Sequence, residues 1–173
     1  MGINCEATNL KTVDIVHKGI YQCDITIYGK AIHGSRPWLG VNAIDKAVKV
    51  LNRIKILGEQ LKLRKNNYAH YPTINVGTIQ GGTVVNMIPS QCKLEINRRI
   101  IPGESFEMAE KEIQAILDQL SKEDPDFRAE LKSKNINLPI LDVPSDAPVV
   151  KSIQKAHKFQ LEEKMQEPMH LGL

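Results

Sequence analysis

No stretch of the 173 residues approaches the roughly 20 consecutive apolar positions that a membrane-spanning helix needs. The first residues also lack the basic-then-apolar order of a secretory leader. Cysteine is scarce. Cys5, Cys23 and Cys92 are odd in number and have no CxxC spacing, which argues against a disulfide framework or a cysteine-based zinc site. It argues for a reducing setting, so a cytoplasmic location is expected. The net charge of +3 is spread along a mixed sequence, and Lys62-Leu63-Arg64-Lys65 is only a short basic run, so nucleic acid is not an expected partner. Aromatic residues make up 5% of the chain, and Cys92 to Ile101 contains none, which removes the base-stacking platform of an RNA-recognition sheet. Gly81-Gly82 is not followed by Gly-Lys-Ser/Thr, so it is not a phosphate loop. No internal repeat or low-complexity tract is present. What is present, at 42% hydrophobic, is enough apolar material for one proper core.

From Gly19 the pattern is regular. Tyr21, Cys23, Ile25 and Ile27 alternate with Gln22, Asp24, Thr26 and Tyr28, the period of a strand with one buried face. After a Gly/Ser/Pro-rich loop, Asn42 is placed to cap a helix carrying Ile44, Ala47, Val48, Leu51 and Ile54 on one stripe, with Gly58 near its stop. Ile74, Val76 and Ile79 give a second strand, broken at Gly81-Gly82, where a bulge or a close backbone approach is expected. Cys92, Leu94 and Ile96 alternate with Lys93, Glu95 and Asn97 in a third strand. Past Pro102-Gly103, a second helix aligns Phe106, Ala109, Ile113, Ile116, Leu117 and Leu120, with acidic residues early, as the helix dipole favours. Phe127, Ala129 and Leu131 make a fourth strand. Two right-handed crossovers in the order β-α-β-β-α-β predict an α+β, ferredoxin-like sandwich: a four-stranded antiparallel sheet with both helices on one face. This core is placed at residues 19–137. Residues 1–18 and 138–173, with one helix near Ala147 to Leu161, read as strips of a neighbouring domain.

The motifs resemble the lid (dimerisation) domain of the dinuclear zinc amidohydrolases and metallopeptidases, a superfamily that includes acetylornithine deacetylase, succinyl-diaminopimelate desuccinylase, aminoacylase and carboxypeptidase G. Four segments carry the resemblance in order. They are Gly29-Lys30-Ala31-Ile32-His33-Gly34-Ser35, then Gly40-Val41-Asn42-Ala43-Ile44, then Gly81 to Pro89, then Asn97-Arg98-Arg99-Ile100-Ile101-Pro102-Gly103-Glu104. Upstream, Cys5-Glu6-Ala7-Thr8-Asn9 and His17-Lys18-Gly19 add to it, although the family's proline is replaced by Ala7 and its aspartate by Asn97.

Taken alone, His33 also reads as a surface histidine beside a glycine loop, Arg99 as a solvated strand arginine and Glu6 as a surface acid. The resemblance gives each a role. It implies that His33 is a catalytic donor, reaching into the partner's active site to hold the scissile carbonyl oxygen as charge develops. It implies that Asn86 and Arg99 bind the carboxylate or acyl end of the substrate, the guanidinium by a bidentate pair. Arg98 and Arg99 fall on opposite faces of their strand. Glu6 matches a carboxylate that binds one of two zinc ions, which cobalt or manganese can replace.

The further parts that the resemblance calls for, a His-x-Asp segment, a bridging aspartate, the family's Glu-Glu pair with its general base and a late ligand histidine, are not matched in this chain, so it cannot assemble a metal-bound water and its base. The expectation is therefore a fragment, inactive alone, with no metal bound to it alone. Its role would be the lid and dimerisation module of an enzyme that hydrolyses N-acyl amino acids or small peptides. Two copies would pair through their sheet edges into a homodimer, with His33, Asn86 and Arg99 aimed at one ligand. The other class compatible with the β-α-β-β-α-β order is an independent amino-acid-binding regulatory module.

Overall fold

The computed structural model describes residues 13–161, with the backbone alone for residues 157–161. Strand β1 (Val16–His17) leads into β2 (Gly19–Tyr28), α1 (Ala43–Leu61), β3 (Thr73–Gly81), β4 (Gln91–Ile100), α2 (Phe106–Glu123) and β5 (Arg128–Ser133). Strand β6 (Leu141–Asp142) and helix α3 (Pro148–Leu161) follow. The main sheet runs in the order β3-β4-β2-β5 with every neighbouring pair antiparallel, which is the ferredoxin-like arrangement.

Alternation decides which face is covered. Tyr21, Cys23, Ile25 and Ile27 of β2 and Cys92, Leu94 and Ile96 of β4 are buried against the apolar stripes of α1 and α2. Asn42 caps α1 as its sequence suggests, its Oδ1 accepting from the N–H groups of Ile44 (2.9 Å) and Asp45 (3.4 Å). Ser105 caps α2 through the N–H of Met108.

Three local expectations change. Val48 is exposed rather than buried; Ala43, Val50, Leu57 and Leu61 complete the buried stripe instead. Helix α1 continues past Gly58, where a side chain would meet Ile74 in ordinary contact, because Leu61 still has core to bury. The bulge lies at Gly77, between Val76 and Thr78, and not at Gly81-Gly82. At Gly81 the expected close approach is present, since a Cβ there would come within 3.0 Å of Cys92 Sγ and 3.1 Å of Ile44 Cγ1.

The face of the sheet away from the helices is polar and held by charge. Lys93 and Lys134 bind Asp24 at 2.6 and 3.0 Å, and Lys134 also binds Glu95 at 2.6 Å. The two flanking segments meet each other. Val16 pairs with Asp142 and His17 with Leu141, over a second small cluster of Ile15, Val16, Ala69, Ile101 and Val150. Ile101 directly follows β4, so both chain crossings lie at the Ile100 end of the sheet.

Cys23 and Cys92 are free and buried, and burial pushes the Cys23 thiol up to about 12. Cys5 lies outside the described residues. Among the described residues no helix is long and apolar enough to cross a membrane.

Asp124 ends α2 and ties it to α1. Lys46 and Lys49 each donate to its Oδ2 at 2.6 Å, and these bonds hold its carboxyl well below the usual aspartate range. A carboxyl depressed on folding stabilises fully above its unfolded pKa of about 4 and loses that contribution as pH falls toward the folded value. Asp124→Asn is therefore expected to lower stability at neutral pH and to flatten the loss of stability below about pH 4. Urea midpoints from pH 2 to 7 measure this. An unchanged acid limb would count against the ion pairs.

Candidate functional site

The loop after β2 and the loop before β4 form one platform at the Tyr28 end of the sheet. Gly29 N–H donates to Ser90 O (2.8 Å) and Ala43 N–H to Pro89 O (3.0 Å), while Lys30 and Val41 exchange two backbone bonds. Further out, Ile88 N–H donates to Ile32 O (2.8 Å) and Gly34 N–H to Asn86 O (2.7 Å), with His33 bridged to Met87. Gly29 is required by this crowding, because a Cβ there would collide with the Val41 carbonyl oxygen and lie 2.8 Å from that of Pro89. Gly82, with φ of 77°, turns the chain out of β3 in the left-handed region that favours glycine.

This platform brings His33 and Asn86 together. Both are exposed, and no partner holds the Asn86 carboxamide among the described residues. The His33 ring is oriented locally. Ser35 N–H donates to Nδ1 at 3.2 Å, and the Ser35 hydroxyl lies 2.8 Å from the same nitrogen. A backbone N–H can only donate, so Nδ1 accepts and the neutral ring carries its proton on Nε2, free to donate outward. Ser35 is a positioning residue to which sequence reasoning gave no role. A hydroxyl residue two places after the histidine was the available signal.

Arg99 is elsewhere. Its backbone is opposite Ile20 and Thr73, eight residues along β4 from Gln91 and so roughly 26 Å from the loop platform. One chain therefore does not aim all three donors at one ligand. Arg98 and Arg99 do face opposite ways. Arg98 is 1% exposed on the helix side, bound to Glu104 (2.9 Å) and Glu112 (3.3 Å), which themselves hold Arg64. Arg99 lies on the open face, and no carboxylate pairs with it among the described residues.

Glu6 lies outside the described residues. Among the described residues no group of three His, Cys, Asp or Glu side chains could hold a metal ion. The metal-binding part of the expectation therefore has no geometry among the described residues.

A profile described as peptidase dimerisation domain matches residues 15–125. An acetylornithine deacetylase from Buchnera aphidicola (subspecies Schizaphis graminum) is 31% identical over 154 residues, covering 87% of this chain and 40% of that protein. Another from Edwardsiella ictaluri is 32% identical over 156 residues, with 87% and 39% covered. Among solved structures, aminopeptidase PepT from Bacillus cereus superposes with a TM-score of 0.70 at 18% identity, over 94% of this chain and 40% of its own. An amidase of the hydantoinase/carbamoylase family from Burkholderia phymatum gives 0.70 at 18%, over 96% and 41%. The chain thus spans about 40% of the length of the relatives it matches. The structural likenesses, all of low identity, speak for the fold.

Proposed function

Since this chain belongs to the peptidase dimerisation domain family, we propose that it is the lid of a metal-dependent amidohydrolase or peptidase in which each substrate site is shared between two chains. The observation that carries the proposal is the separation of His33 and Asn86 from Arg99 along one sheet. Both chain crossings lie at the Arg99 end, so a catalytic part joined through them would sit beside that chain's own Arg99. It would be distant from that chain's own His33.

Pairing across a two-fold axis removes the difficulty. β3 is an edge strand of nine residues, most of them exposed, while the opposite edge, β5, has six and alternates charged side chains. If two β3 strands pair antiparallel about Gly77, Thr73 of one chain stands opposite Gly81 of the other. Thr73 is the neighbour of Arg99, and Gly81 leads into the loop that carries Asn86 and rests on His33. Each Arg99 then faces the partner's His33 and Asn86, and the two sheets become one. The exposed Ile79 and Val48 supply an apolar strip beside the seam.

In this arrangement the roles are distinct. Arg99 binds an anionic or polar end of the substrate, Asn86 orients it, and the His33 Nε2–H from the other chain meets the oxygen of the scissile bond. A donor of that kind is worth about 3 to 4 kcal/mol in transition-state stabilisation. Small N-acyl amino acids or peptides fit as substrates, in line with the deacetylase named among the relatives. Two zinc ions, or cobalt or manganese in their place, would supply an activated water in the whole enzyme, with Glu6 as one ligand. The buried thiols suit the cytoplasm. The first test is mass: sedimentation equilibrium of the chain is expected to give twice the monomer mass at micromolar concentration. A monomer mass at all concentrations would remove the shared site.

A further inference from the structure

The Arg99 end of the open face holds a second cation that the motifs left without a role. Lys18 precedes β2 and lies on the same face as Ile20, the residue opposite Arg99. Its ammonium donates to the Tyr71 carbonyl oxygen at 2.9 Å and lies 5.8 Å from the centre of the Tyr71 ring. Tyr71 is two residues ahead of Thr73, the other neighbour of Arg99, so the Lys18 side chain reaches across the strand end where Arg99 sits. Burial, and after it the positive charge of Arg99, holds the Lys18 ammonium below the usual lysine range. No carboxylate contributes to that balance, and none bonds to either cation among the described residues. By contrast, Lys93 and Lys134, nearer the middle of this face, are matched by Asp24 and Glu95.

Two like charges held near each other with no counter-ion among the described residues have a natural occupant, an anion. We propose that Lys18 and Arg99 form one carboxylate-binding subsite, with the guanidinium pairing the two carboxylate oxygens and the ammonium adding a third donor. The proposal rests on the reading of Arg99 given above and narrows it. The group bound at this end is the free carboxylate of the amino-acid part of the substrate, not its neutral acyl group.

The test uses the full 173-residue chain as a dimer and titrates it with N-acetylalanine, with its carboxamide, and with inorganic phosphate, followed by NMR of the lysine Cε and arginine Nε signals. N-acetylalanine is expected to bind saturably, shift both signals and raise the Lys18 pKa, while the carboxamide does none of these. Lys18→Met is expected to weaken the acid about fivefold or more and Lys18→Arg to restore it, with unchanged spectra elsewhere showing that the fold survives. If Lys18→Met binds as the unaltered chain does while Arg99→Ala abolishes binding, the Lys18 assignment is wrong and the Arg99 reading stands. If acid and carboxamide bind alike, the carboxylate assignment is wrong and the Arg99 reading stands; if neither binds, both are wrong. If phosphate binds more tightly than N-acetylalanine, the corner recognises charge alone and the carboxylate assignment is overturned.

Discussion

Replacing Ile79 by lysine (Ile79→Lys) is expected to raise the dimer dissociation constant on the order of a thousandfold. Ile79 faces the helix layer, because it pairs with the buried Leu94, yet it is 51% exposed at the β3 edge, which no further strand covers among the described residues. Covering that surface stabilises by about 2 kcal/mol per copy at the usual value for buried apolar area. Symmetry applies the loss twice, and about 4 kcal/mol corresponds to roughly three powers of ten. The monomer should lose little, because about half of this side chain is already in water there and a lysine can extend its ammonium outward past the open edge. Ile136→Lys is the control: Ile136 is also well exposed but follows β5, at the opposite edge, and should leave the mass unchanged. Analytical ultracentrifugation across a dilution series separates these outcomes. Equal weakening by both substitutions would assign the seam to something other than β3.

The second large effect concerns stability. Glu104→Gln is expected to destabilise the fold by about 3 to 5 kcal/mol, the usual cost of removing one member of a buried ion pair. Glu104 is 7% exposed and accepts from Arg98 Nη2 (2.9 Å), Arg64 Nη1 (2.8 Å) and the Ile101 N–H (3.2 Å). The amide keeps the shape but leaves two guanidinium groups to share Glu112, one of them almost without access to water. That loss is a large part of the 5 to 15 kcal/mol typical of a domain. Arg98 Nη1 also donates to the Arg99 carbonyl oxygen, so the same cage fixes the strand end that carries Arg99. Glu59→Gln offers the contrast. Glu59 pairs with Lys62 in solvent, and its loss should leave the urea midpoint nearly unchanged. Similar urea midpoints for the two variants would mean that the buried network contributes nothing.

Much of the fold was legible because burial on one face imposes period two. The alternation of Cys92, Leu94 and Ile96 with Lys93, Glu95 and Asn97 fixed β4, and continuing it by two residues separated Arg98 from Arg99. Val48 was misplaced for a physical reason. Helix α1 lies over the sheet edge, so a residue at helical spacing from the core can still overhang solvent. The bulge at Gly77 is not legible in the sequence because a single glycine in a strand leaves no periodic mark, whereas the paired Gly81-Gly82 further along does.

At the site, the motif around Asn86 foretold that its loop would matter, but not that it would bond to the loop of His33. That pairing is between backbones some fifty residues apart in sequence. The distance of Arg99 could have been read directly. Asn86 precedes β4 and Arg99 lies near its end, and an extended run of that length cannot converge on one small ligand.

The shared site is tested most directly by distance between chains. A nitroxide placed on the loop tip through Val85→Cys, with Cys5→Ser to limit labelling elsewhere, is mixed with chains isotopically labelled at arginine. The account predicts strong broadening of the Arg99 signal in mixed dimers and little when label and arginine are confined to one diluted, monomeric chain. A sharp Arg99 signal in demonstrably mixed dimers would contradict it.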